Sequence, residues 1–486
     1  MNIVKRNTKN YSFKEWDLSK LRELGSLVTS LEEFRKNYGR LLGLLSVKVE
    51  KGCLETLIQF YDPLYHCFTF PDYQLVPTLE EYSYLVGLPI LNQTPFSGLE
   101  PTPKPIHIAK ALHLSASIVK TNLTTKKDPI TQKALIGLPI KFLYQQAFTF
   151  ADAGSTDAFH SILALLIYGL LLFPNIEDFI DIHTIQIFLT KNPVPTLLAN
   201  TYYSIHDRTS AERGTIVCCR PLLYKWFVSH LPQTRTRLTN PNNLLWSQKI
   251  LSLTPSDLVW YNPAYDTGEF IFSCGEYPNV PLIGMYGGIT YNPTLAKRQF
   301  GYPMKTKPAS LPLTNEFYSN HKDHSNKRGR FLQAWRAIGK LSRVHLGSKS
   351  DFIDGSYTQW VIGRAAVLGI PYHMPRRVSS TTPSTSLPAP PATMEKLQEI
   401  LDELTREKNA WKRRYDEAKL KIETLEGVIE QKDHDLLAQS RLIVKKTIQL
   451  QEQDAALRRD PKRLKYSMDL FPGPDSDSDG PSTTRV

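Results

Sequence analysis

Ten successive positions seven residues apart, from Met394 through Leu401, Lys408, Tyr415, Ile422, Ile429, Leu436, Ile443 and Leu450 to Leu457, include one charged residue, Lys408. A second track begins three residues on with Leu397, Leu404, Trp411, Ala418 and Leu425, then turns polar at Lys432, Gln439, Lys446 and Gln453. A strict seven-residue repeat keeps its apolar seam on one side of an α-helix when that helix supercoils around a partner. At 1.5 Å per residue the segment would be roughly 95 Å long. The alternative is an amphipathic helix lying on its own domain, which has no need of so long a strict repeat. We therefore expect a coiled coil over 394–458. With the Met394 track at position a and the Leu397 track at d, Ile422, Ile429 and Ile443 fall at a and three leucines at d. That distribution favours a parallel dimer. The candidate oligomerisation residues are Leu401, Ile422, Ile429, Leu436, Ile443 and Leu450, and the expected partner is a second copy of the chain.

The repeat also fixes the organisation on either side. Immediately before it, Pro375 to Thr393 reads PRRVSSTTPSTSLPAPPAT, without a large aromatic and rich in proline. Such a stretch cannot bury enough apolar surface to fold and reads as an extended linker over 374–393. After the repeat come the basic residues Arg458, Arg459, Lys462, Arg463 and Lys465, then the acidic Asp475, Asp477 and Asp479. We assign 459–486 to a disordered basic-then-acidic tail and 1–18 to a flexible N-terminus.

Between these lie residues 19–373, where hydrophobic content is ordinary for a globular protein and aromatics are scattered throughout. Apolar spacing there fits helices over Leu18–Tyr38, Gly52–Tyr61, Thr78–Val86, Asp157–Phe173, Arg220–Leu231 and Arg330–Arg343. Thr78 with Glu81 three residues later fits a capping box, and Gly87 with Pro89 supplies the stop. Glu269–Cys274, with alternating Phe270 and Phe272, is a strand candidate. The longest apolar run, Ile162 to Phe173, is too short for a bilayer span and is closed by Pro174. A buried helix and no membrane contact are expected. The five cysteines are odd in number and never spaced C-x-x-C, which suits separate reduced thiols.

Motifs that carry chemistry are sparse. Asp266-Thr267-Gly268 matches the aspartic-protease triplet, yet Asn262-Pro263 before it and Glu269 after it make a turn rather than an apolar strand. His321 and His324 offer two nitrogens to a metal with no third ligand at recognisable spacing. There is no G-x-x-x-x-G-K loop and no G-x-S-x-G, and Met285-Tyr286-Gly287-Gly288 lacks a strand–helix context. We expect no catalytic, cofactor or metal site. The net charge of +12 permits, without requiring, contact with nucleic acid. The candidate polyanion-binding residues are Arg336, Lys340 and Arg343, spaced to share one face of a helix whose other face carries Phe331, Trp335, Ile338 and Leu341. The rival reading is an outer helix with a solvated basic face.

Several phrases taken in order resemble the plant mobile domain, a family of plant transposons and free-standing nuclear proteins. They are Phe68-Thr69-Phe70, Val76-Pro77-Thr78-Leu79-Glu80-Glu81-Tyr82, Leu85-Val86-Gly87-Leu88-Pro89-Ile90, Leu171-Leu172-Phe173-Pro174, Val280-Pro281-Leu282-Ile283, Arg298-Gln299-Phe300-Gly301, and the spacing of Tyr357, Trp360 and Arg364. The resemblance covers about residues 50–370 and looks like a legume-type branch. It departs at Met285-Tyr286-Gly287-Gly288-Ile289, where the family has a more hydrophobic, Trp-containing stretch. The resemblance implies a mostly helical domain without established catalytic residues, in a nuclear or transposon-related setting. It supplies no site residue by residue.

The expected fold class is therefore mostly α: a large helical globular domain with minor β, followed by a C-terminal coiled coil. The expected function is non-enzymatic binding and self-association, on nucleic acid or a nuclear protein, in the nucleus or alternatively the cytoplasm. Two other readings stay open: a capsid-like structural protein of a retroelement, and a metal-dependent nuclease with scattered carboxylates.

Overall fold

The computed structural model describes residues 8–90, 94–129, 132–232, 245–266, 268–277, 279–304 and 325–372, with Thr424, Lys446 and Gln449 as isolated positions. The linker 374–393, the candidates Leu401, Ile422, Ile429, Leu436, Ile443 and Leu450, the tail 459–486 and the His321/His324 pair lie outside the described residues. The chain divides into two units, Met1–Arg377 and Val378–Val486, and the architecture below is that of the first.

That unit is mostly helical with minor β. Its centre is the apolar run singled out above. Thr156–Ile167 is α-helical and continues as a π-helical turn, Tyr168–Leu172, before Phe173 and Pro174 stop it. Every residue from Ala158 to Phe173 is buried, because helices Ile140–Asp152, Ser19–Ser26, Leu41–Leu45 and Pro105–Leu112 pack around it. A helix apolar on all sides belongs in such a place. Gly169 permits the closest approach: a Cβ there would lie 2.5 Å from the Ile180 side chain. Among the described residues no helix is long and apolar enough to cross a membrane. All five cysteines are free and buried.

The expected helix over Leu18–Tyr38 is two helices, Ser19–Ser26 and Leu31–Tyr38, broken at Leu27–Ser30. The capping box is present as read: Thr78 Oγ1 accepts from Glu81 N, the Glu81 carboxylate accepts from Thr78 N, and Gly87 closes the Leu79–Val86 helix at φ +74°.

Among the described residues the strands form five small sheets. Tyr61–Asp62, Cys67–Thr69 and Gln74–Leu75 make an antiparallel meander with Phe68 opposite both Tyr61 and Leu75. Val280–Ile283 and Gly288–Tyr291 form a hairpin, whose turn docks through Met285 N onto Asn200 Oδ1 at 2.8 Å. Asn10–Phe13, assigned above to a flexible N-terminus, is instead a strand pairing parallel with Arg213–Ile216, with Tyr11 and Phe13 buried.

A second correction concerns Arg330–Arg343. The helix there is Ser325–Trp335. The chain then turns, and Ile338–Ser342 pairs antiparallel with Glu269–Cys274, the strand expected from its alternating phenylalanines. β-Branched Ile338 and Gly339 are poor helix residues. The neighbouring strand offers backbone partners, starting with Gly275 N donating to Ala337 O at 2.7 Å.

Candidate functional site

The most concentrated polar chemistry in the domain surrounds Glu81, which is 1% exposed. The capping box brings its carboxylate back towards Thr78, whose hydroxyl donates to Oε2 at 2.9 Å. Trp226 and His230 lie one turn apart at the end of the Arg220–Ser229 helix and so share a face. Trp226 Nε1 donates to Oε2 at 2.9 Å, and His230 Nε2 lies 3.0 Å from Oε1. His230 Nδ1 is 2.9 Å from the Val259 carbonyl, which fixes the ring. Gln299 completes the set. Its Oε1 accepts from Val76 N at 2.8 Å, while its Nε2 donates to Val76 O at 2.8 Å and to Glu81 Oε1 at 2.9 Å. Burial alone would raise the Glu81 carboxyl, but His230, Gln299 and Trp226 outweigh it and hold the group below its ordinary range.

The adjacent Glu80 behaves oppositely. One helical step turns it towards Glu269–Cys274, where Oε1 accepts from Ile271 N at 2.8 Å. Its Oε2 is buried without a hydrogen bond. Burial pushes this carboxyl up to about 7. Two neighbouring carboxyls driven apart in this way are a common arrangement for acid–base work. Here both are sealed, and so are Trp226, His230 and Gln299. A hollow that Gln299 borders beside Tyr265 and Phe270 holds about 10 Å³, room for about one water. The arrangement ties the Leu79–Val86 helix to three distant segments.

A second buried pair lies at the small meander. Asp62, fully buried, receives Arg364 Nε at 2.6 Å and Nη2 at 2.8 Å. The Asp62 bond raises the Arg364 guanidinium above its ordinary range. Tyr357, Trp360 and Arg364 recur at helical spacing on Gly355–Leu368. Tyr357 donates to Gln74 Oε1 at 3.1 Å, and Trp360 meets the Tyr65 ring edge-on with centroids 5.1 Å apart. The closing motif is thus one helix face clamped onto one sheet.

The polyanion candidates do not lie on one helix. Arg336 lies in the turn after Trp335, Lys340 on the strand, and Arg343 at the start of the short helix Arg343–Leu346. All three are exposed, and Lys340 Nζ is 3.8 Å from Glu269 Oε2. The helical basic face is corrected accordingly. Asp266 sits in a turn, bonded to Lys349 and, at 2.8 Å, to Tyr261. Lys349 first, against a smaller opposing effect of burial, holds its carboxyl below the usual range. Met285-Tyr286-Gly287-Gly288 connects two hairpin strands. Among the described residues no cluster of His, Cys, Asp and Glu is arranged to hold a metal ion.

Sequence reasoning identified Glu81 as a cap and missed Glu80, Trp226 and His230 as its surroundings. A signal was present: two adjacent glutamates in a segment otherwise as apolar as Val76–Leu88 need buried partners.

No curated protein and no solved structure matches the chain. Residues 21–366 match a family model described as a domain of unknown function, DUF7745. The match runs from the first helix to just beyond Arg364, taking in both buried polar centres, and the chain belongs to the DUF7745 family.

Proposed function

We propose that this is a non-enzymatic, plant-mobile-domain-like protein that acts by binding and self-association, its folded domain presenting a surface and its segment 394–458 forming a parallel two-stranded coiled coil. The observation that carries the non-enzymatic part is the sealing of Glu80, Glu81 and His230, the groups best placed for proton transfer, in the core. What supports the relation to the plant mobile domain is that its resembling phrases act together. Gln299 bonds both Val76 and Glu81, and Tyr357, Trp360 and Arg364 close on one sheet. The heptad pattern supports a homodimer. The basic residues Arg458 to Lys465 support entry into the nucleus, where nucleic acid or a nuclear protein is the partner.

The reading is tested by incubating the full chain with single- and double-stranded DNA and RNA in the presence of Mg²⁺ or Mn²⁺. We expect no cleavage above that of heat-denatured protein. Cleavage that Glu81→Gln abolishes, in a variant that still folds, would establish the nuclease reading instead.

A further inference from the structure

Between helices Leu31–Tyr38 and Leu41–Leu45, and against Tyr84 and Lys225 of two others, lies a solvent-open hollow of about 490 Å³. Small-molecule sites span roughly 300–1,000 Å³. Its apolar wall is Leu31 and Leu42, with the buried Phe34 behind them, and Leu31 is 62% exposed, a large hydrophobic side chain that packing leaves uncovered. Its charged wall is Arg35, Arg40 and Lys225, with no carboxylate among the lining residues. Among the described residues none of the three forms an ion pair.

One of these cations is held in place. The Arg40 guanidinium lies 4.2 Å from the centre of the Tyr84 ring, and its backbone N–H donates to Val86 O at 2.6 Å. Lys225, partly buried beside it, has its ammonium pushed below the ordinary range by burial and then by Arg40. Like charges kept together without an acid leave a positive potential focused on an apolar surface.

We propose that this hollow binds a small amphipathic anion, with a carboxylate, sulfonate or phosphate head between Arg40 and Lys225 and an apolar body against Leu31 and Leu42. Inorganic phosphate would leave the apolar wall wet, and a neutral hydrophobe would leave the cations uncompensated. The two halves of the ligand answer the two walls. The site is independent of the self-association proposed above.

Calorimetric titration of the full chain with decanoate, decanol and inorganic phosphate tests the assignment. Decanoate binds, and the other two do not at matched concentration. Lys225→Met weakens decanoate by about tenfold or more, as expected for loss of a charged hydrogen bond. Gly43→Leu blocks it by filling the hollow, since a Cβ at Gly43 meets nothing within 4 Å and the charge is unchanged. Both variants keep the parental melting temperature to within a few degrees, about what a 1 kcal/mol change would cause. Decanol binding as well as decanoate, or either variant binding decanoate like the parent, overturns the proposal. So does tighter binding of the acidic peptide Asp-Asp-Leu-Phe-Asp-Asp, which would mark the hollow as a protein-docking surface.

Discussion

Adjacent residues with the same side chain reach opposite protonation behaviour here, and that has a measurable consequence. Glu80 has its folded carboxyl raised to about 7 from an ordinary 4.5. The stability linked to it is complete below about 4.5 and is lost as pH rises through 7. Buried His66 and His206 are pushed down, mainly by burial, to about 3 and about 4 from 6.5. Their contribution is complete above about 6.5 and is lost as pH falls towards those values. The two effects oppose, but two histidines outweigh one glutamate up to about pH 6.5, so unfolding free energy should still rise there and peak between about pH 6.5 and pH 7.5. Urea unfolding across that window would locate the peak. Glu80→Gln keeps an oxygen for Ile271 N and removes the titration. Relative to the parent it should gain on the order of 3 kcal/mol between about pH 4.5 and pH 8. A difference between the two proteins that does not vary with pH would show that Glu80 does not titrate as described. At this scale the capping box was legible because Thr78 and Glu81 are three residues apart. Trp226 and Gln299 bond the same carboxylate from 145 and 218 residues away, and no local pattern encodes such a meeting.

Among the elements, the helix Gly355–Leu368 is tied to the meander by a charged pair. Beside the bond of Tyr357 to Gln74, the half-buried Arg364 meets the buried Asp62. Arg364→Met leaves the carboxylate buried and unpaired, and should cost about 3–5 kcal/mol in denaturant unfolding. Asp62→Asn with Arg364→Met should cost less than the single change, because no lone charge remains. A double variant as unstable as the single one would place the loss in packing rather than charge. The helical face of Tyr357, Trp360 and Arg364 was readable from spacing, although the sheet it meets was not. The segment after Trp335 shows the opposite outcome. Its apolar and basic spacing fits a helix, yet Ile338–Ser342 became a strand because Glu269–Cys274 offered backbone partners. Periodicity over so few residues cannot distinguish the two when tertiary pairing decides.

At the scale of the whole molecule, the domain buries Glu80, Glu81 and His230, and the proposed activity rests on what its surface and its heptad segment can bind. In the proposed dimer Lys408 at an a position would cost stability yet be tolerated, because its ammonium could reach solvent there. The polar d track from Lys432 on predicts a stronger first half of the repeat, so Ile422 and Ile429, just upstream of that transition, are the residues to disrupt. Nuclear entry is a separate expectation: replacing Arg458, Arg459, Lys462 and Arg463 by alanine should reduce the nuclear signal of a tagged full chain, and unchanged localisation would remove this cluster from the account. The most direct test of self-association is sedimentation equilibrium of the full chain at micromolar concentration. The predicted mass is twice the chain's 55.4 kDa, falling to one chain for the variant carrying Ile422→Asp and Ile429→Asp. A parent chain that sediments as a monomer, or a variant that remains a dimer, would contradict it.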